Sequence, residues 1–188
     1  MLKYIFLLIF AAFLFSYFRP AVHMHFSVLM IERTSSFSFA TFFERNNESP
    51  LNLDLAGTDF STLFEDSDLT SVGVRVGVSV FAYFAALVLV LVVFGLTAAK
   101  RFGRGRMVLV LFAMVLHLLA GWLMKTVPPL VNEILDATIN NVLGFFALFI
   151  DTADIITLTL GWGYWMTAVV MGLLFFTLIK ERVNHGNQ

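Results

Sequence analysis

The sequence predicts an all-α membrane protein: a four-transmembrane-helix bundle with a small extracytoplasmic β-hairpin region and an amphipathic surface helix. Three observations predict it. The chain of 188 residues is 59% hydrophobic and 13% charged, with a mean hydropathy of +0.87. Soluble domains are nearer a quarter charged, so polar surface is too scarce here to cover an apolar interior in water. The apolar residues gather into stretches about one bilayer long, roughly 17–25 residues each. The basic residues then fall at one set of stretch ends and most acids at the other.

The first element is 1–18, with the apolar run "LKYIFLLIFAAFLFSYF" held between Lys3 and Arg19. A cleaved signal peptide has the same charged start, but cleavage requires small residues at −3 and −1. The run ends "FSYFRP", so a retained signal anchor is expected. Residues 19–71 form an acidic extracytoplasmic loop, with eight Asp and Glu against three Arg. "AVHMHFSVLMI" alternates, placing Val22, Met24, Phe26, Val28 and Met30 on one face of a strand. "ERTSS" reads as the turn and "FSFATFF" as the returning strand, giving a β-hairpin. "LNLDL" (51–55) is a candidate third strand. So small a region cannot stand alone and must lean on helix ends, lipid or another chain.

Residues 72–99 form the second span. Its entry, "SVGVRVGVSV", alternates like a strand, yet as a helix it sets Gly73 and Gly77 four apart on a small-residue packing face. A strand bending into a helix near Gly77 would fit both patterns. Residues 100–106, "KRFGRGR", carry Lys100, Arg101, Arg104 and Arg106 in a short hairpin. Four cations in seven residues could suggest nucleic acid. No interleaved aromatics or supporting fold accompany them, and the net charge is −1, so a topology determinant and lipid-headgroup contact is expected instead.

Residues 107–127 form the third span and 128–156 an extracytoplasmic segment. Within it, "PPLVNEILDATINNVLGFF" puts Leu130, Ile134 and Leu135 on one helical face and Asn132, Glu133 and Asp136 on the other. That is an amphipathic helix lying on the membrane surface, started by Pro128 and Pro129. Asp151 is expected to cap the fourth helix, with Asp154 in its first turn. The fourth span is 157–180, anchored at the interface by Trp162, Tyr164 and Trp165, and 181–188 form a tail. Lys3, residues 100–106, Lys180 and Arg182 then share one side, which the positive-inside rule makes the cytoplasm. Both termini are expected there, in an integral membrane protein of a bacterial inner membrane. The order of spans and loops resembles the tetraspan plan of claudin-like proteins and tetraspanins. The likeness is one of layout, because the cysteine motifs of those proteins have no counterpart in a chain without cysteine.

Residues that could carry chemistry are few. His117 lies near the middle of the third span, where an ionisable side chain is a functional candidate by default. It shares a face with Ala113 and Gly121. A neutral imidazole hydrogen-bonding across a helix contact is the favoured expectation, and a haem or quinone contact the alternative. His23 and His25 stand two apart on one strand face, but two histidines without a third ligand favour solvent-facing strand positions over a metal site. "EDSD" (65–68) lacks the glycine and distal glutamate of a calcium loop and reads as solvated acid. No phosphate loop, catalytic triad or membrane carboxylate pair occurs. The expected function is a non-enzymatic accessory or assembly subunit of a larger membrane complex. Its partners would be the bilayer and other subunits or a second copy, with no nucleic acid. A redox or transport component using His117 is the alternative.

Overall fold

The computed structural model describes residues 2–28, 31–38, 66–99, 104–143 and 155–186. Helix α1 (Leu2–Tyr17) leads into strands β1 (Pro20–Val28) and β2 (Ile31–Ser38). Helices α2 (Asp66–Ala98), α3 (Arg104–Lys125) and α4 (Val127–Leu143) follow, then β3 (Ile156–Leu160) and α5 (Trp162–Gly186). The chain is mostly helical. Three stretches, Ser71–Ala98, Gly105–Ala137 and Trp162–Val183, are long and apolar enough to cross a membrane, and α1 holds a shorter apolar run, Tyr4–Ser16.

The helices pack antiparallel in pairs: α1 on α5, α2 on α3, and α3 on α5. Their shared core holds Ile9 and Phe13 of α1, Val90 and Val93 of α2, Val110 and Ala113 of α3, and Met171 and Leu174 of α5. Phe10 and Phe13 also set their rings against Phe94, 5.0 and 6.0 Å between centroids, which ties α1 to α2. Outward-facing side chains are large and apolar, among them Phe81, Val88, Phe112 and Phe176. An apolar exterior around a packed core is what a hydrocarbon solvent permits and water does not.

Three sequence expectations change here. "ERTSS" is not the turn but part of β2; the connection is residues 29–30, outside the described residues, and it sets Val28 opposite Ile31. Cross-strand pairing of Ser and Thr with the histidines of β1 outweighs the local turn preference of those residues. The third strand is 156–160, while 51–55 lie outside the described residues. "ITLTL" was expected to begin the fourth helix, but it alternates and is β-branched, and it pairs antiparallel with β1 in the order β2-β1-β3. Helix α5 therefore starts at Trp162, too late to be capped by Asp151 or Asp154, which lie outside the described residues, and it runs beyond 180 to Gly186.

The second span is one continuous helix from Asp66, so no strand bends at Gly77, and 66–68 are its first turn rather than a loop. Gly73 and Gly77 are exposed, and a Cβ at either would meet nothing within 4 Å. Their small-residue face has no packing partner among the described residues. Helix α4 begins after Thr126, whose amide and hydroxyl both turn back to Leu123 O. Pro128 and Pro129 lack the amide hydrogens that would continue α3 without a break. Asn132, on the face expected to meet solvent, instead clamps β3: its amide donates to Ile156 O (3.2 Å) and accepts from Ile156 N (3.0 Å). That side-chain amide replaces a neighbouring strand at the sheet edge and fixes α4 to the sheet.

Two glycines let two distant junctions meet. A Cβ at Gly161 would overlap Pro20 O, and one at Gly163 would overlap Arg19 O. The junction of α1 with β1 thus lies directly on the junction of β3 with α5. Gly161 N donates to Ala21 O at 2.8 Å and closes the contact.

Candidate functional site

Polar groups inside the helices gather at two levels. Toward the sheet, His117 of α3 is 1% exposed and faces Tyr164 of α5. Its Nε2 lies 3.1 Å from Tyr164 O, and Tyr164 Oη donates to His117 O at 3.0 Å. The rings stack with centroids 4.1 Å apart and 15° between planes, and the Tyr83 ring of α2 approaches at 5.4 Å. A carbonyl only accepts, so the neutral imidazole carries its proton on Nε2 and leaves a lone pair on Nδ1. Nδ1 has no hydrogen-bond partner among the described residues.

A second chain of hydroxyls lies beside it. Tyr83 engages the Thr167 side chain. The Thr167 hydroxyl is shared between Ser16 Oγ (3.0 Å) and Gly163 O (2.8 Å), and Ser16 donates to Phe13 O at 2.7 Å. Ser79 of α2 donates to Ala120 O of α3 at 2.8 Å. Every hydroxyl here returns to a backbone carbonyl or another hydroxyl, as an apolar surrounding demands. Between this layer and the sheet is a cavity of about 100 Å³, lined by Val22 and Leu160 below the strands and by Ser79, Tyr83, Gly121 and Tyr164 on the helices. Ligand pockets for drug-sized molecules hold about 300–1,000 Å³. This one is well below that range. A cofactor contact through His117 would have to use Nδ1, since Nε2 is engaged.

At the opposite end, Arg106 of α3 is 6% exposed. Its Nη2 meets Glu181 Oε2 of α5 at 3.0 Å, and its Nη1 donates to Thr97 Oγ1 of α2 at 3.1 Å. Arg106 was expected to touch lipid headgroups with its neighbours. It is instead sealed in an ion pair, because α5 continues past the expected span end and brings Glu181 to it. Lys100 and Arg101, and the side chain of Arg104, lie outside the described residues.

The sheet presents a third cluster. Its register puts His23, Ser36 and Thr159 in one row and His25, Thr34 and Thr157 in the next, all on one face. The opposite face carries Val22, Met24, Ile156, Leu158 and Leu160. His23 Nδ1 is 2.8 Å from Ser36 Oγ, and His25 Nδ1 is 2.9 Å from Thr34 Oγ1.

Compared with protein-family models, curated proteins and solved structures, the chain matches none.

Of the residues expected to matter, the structure brings His117 and Gly121 together around Tyr164 and puts Ala113 in the core. Trp162 and Trp165 are 76% and 51% exposed. Tyr164 is not an anchor: helical rotation turns it from its Trp neighbours onto His117, leaving it 4% exposed. Sequence reasoning missed Tyr83, Thr167, Ser16, Glu181 and Asn132. Only Glu181, the lone acid on the basic side, carried a signal that could have found it.

The His117 geometry sets one expectation. His117→Gln keeps a donor of similar reach toward Tyr164 O, while His117→Leu loses the bond, about 0.6 kcal/mol on average and about 1.7 at most in bilayers. Unfolding in mixed micelles should rank the two variants in that order, with both still inserted and assembled. Equal loss of function in Gln and Leu variants of intact fold would mark His117 as a ligand or proton carrier instead.

Proposed function

We propose that this chain is a four-pass, non-enzymatic accessory subunit of a larger assembly in a bacterial inner membrane, with both termini and residues 100–106 in the cytoplasm. It docks its neighbours through the extracytoplasmic sheet and the open faces of its helices. One observation carries the reading. The sheet joins two segments far apart in the chain, its apolar face meets the helices, and its polar face, with Glu32, Thr34 and Thr159, is turned outward. A platform fixed on rigid elements suits recognition by another chain. Helix α1 supports a fourth crossing: its 16 residues reach about 24 Å, and Ile9 and Phe13 lie in the core shared with α5. The open face around Gly73 and Gly77 suits a further subunit or a second copy.

Photo-crosslinking groups at Glu32 and Thr159, placed one at a time in native membranes, should each give a discrete protein adduct. The same group at lipid-facing Phe112 should give none. Adducts at no sheet position would remove the docking reading. Single cysteines at Gly105 and Ser67 should separate with an impermeant maleimide on intact cells, labelling 67 and sparing 105; the reverse would invert the topology. A second reading, a redox or transport component, is favoured by the unpartnered Nδ1 of His117. A Soret band in the purified protein would select it.

A further inference from the structure

We infer that the lipid-facing belt of this chain fits a bilayer thinner than the usual one and selects short-chain phospholipids over long-chain ones. The inference rests on the four-pass reading and adds the class of lipid that surrounds the helices.

The helices share two polar levels. At the sheet end, Ser79 of α2 donates to Ala120 O of α3 at 2.8 Å. Gly121 of α3 abuts Tyr164 of α5 there, and Gly163 of α5 lies against Arg19 O, just past α1. Trp122, Trp162 and Trp165 are exposed at this level. At the other end, Arg106 of α3 binds Glu181 of α5 at 3.0 Å and Thr97 of α2 at 3.1 Å. Lys180 and Arg182 are exposed beside them. Between the levels the outward side chains are apolar, among them Val88, Phe112, Val115, Val169 and Phe176.

Each helix measures the same gap. At a rise of about 1.5 Å per residue, Ser79 to Thr97 is about 27 Å, Arg106 to Trp122 about 24 Å and Trp165 to Lys180 about 22 Å. Helix α1, with 16 residues, gives about 24 Å. A typical hydrocarbon core is about 30 Å thick, so every helix falls short, by about 3–8 Å. Tilt only lowers these heights, and tryptophan rings sit at headgroup level, outside the core. Helix α2 continues past Ser79, but Arg75 stands about one turn above it and closes its apolar face. Snorkelling does not make up the difference at the inner end, because Arg106 is tied to Glu181 and Thr97. A thick bilayer would surround that ion pair and the tryptophans with hydrocarbon. Local thinning, or selection of shorter acyl chains, relieves the mismatch.

The test uses the full chain reconstituted in phosphatidylcholine vesicles that differ only in acyl chain. All three tryptophans stand at the outer level, so a brominated dioleoyl lipid in contact with the protein quenches their fluorescence. Each competing lipid restores the signal as it displaces the quencher. Dimyristoleoyl and dipalmitoleoyl lipids should bind several-fold more strongly than dierucoyl lipid, with dioleoyl lipid between them. The temperature of unfolding in single-lipid vesicles should fall in the same order. Equal binding of all chain lengths, or strongest binding of dioleoyl or dierucoyl lipid, would overturn the inference while leaving the membrane reading intact. A protein that floats with vesicles of no chain length would sink the membrane reading itself, and this inference with it.

Discussion

Glu181→Ala is expected to cost about 3–5 kcal/mol of stability, the usual result of removing one partner from a buried ion pair. The side chains of Arg106 and Glu181 are only 7% and 6% exposed, so the stranded guanidinium cannot reach water without moving α3. Nor can it shed its charge, since arginine stays protonated in proteins. The loss also spreads. Arg106 Nη1 holds Thr97, whose hydroxyl returns to Val93 O, so one guanidinium joins α2, α3 and α5 at the end away from the sheet. Arg106→Met with Glu181→Leu should recover most of the stability, because a matched apolar pair removes both desolvation penalties at once. Unfolding of the two single variants and the double in mixed micelles gives the coupling directly. A cost below about 1 kcal/mol for Glu181→Ala would mean that the pair behaves as a solvent-exposed one.

The second large effect is expected from Gly121→Leu. A Cβ at Gly121 would already overlap the Tyr164 hydroxyl and ring. That ring cannot withdraw cheaply, because it is stacked on His117 at 4.1 Å and its hydroxyl is bound to His117 O at 3.0 Å. Overpacking costs about 1–3 kcal/mol, and the two bonds joining His117 to Tyr164 add up to about 1.7 kcal/mol each. Together they put Gly121→Leu at about 1–6 kcal/mol, with Gly121→Ala smaller but of the same sign. Gly73→Leu and Gly77→Leu are the controls. Nothing lies within 4 Å of a Cβ at either site. Glycine is about 0.8–1 kcal/mol poorer than alanine in a helix, and leucine ranks close behind alanine. These should leave the monomer as stable as before or more so. Loss of assembly in them, with the monomer intact, would place a partner on that face. Equal destabilisation by all three leucines would refute the packing at Gly121.

The sequence by itself determined that the chain carries long apolar helices, that α3 gives way to another helix just before Pro128, and that the stretch following Arg19 is a strand. Those features depend on hydropathy over about twenty residues, on a missing amide hydrogen, or on alternation within one segment, and such local terms read the same in any fold. The tertiary structure decided which polar group meets which. Arg106 looked like one of four equivalent surface cations until Glu181, 75 residues away, was brought to it. Tyr164 read with Trp162 and Trp165 as an interface residue, yet helix rotation set it against His117, 47 residues distant. "ITLTL" could have begun a helix, but pairing with β1 satisfies its backbone groups with a strand already in place and half-buries its alternating apolar face. A buried donor or acceptor must find a partner somewhere, and its own neighbours in sequence do not say where. Burial thus makes these contacts obligatory, and only the fold, by closing loops of tens of residues, selects the partners.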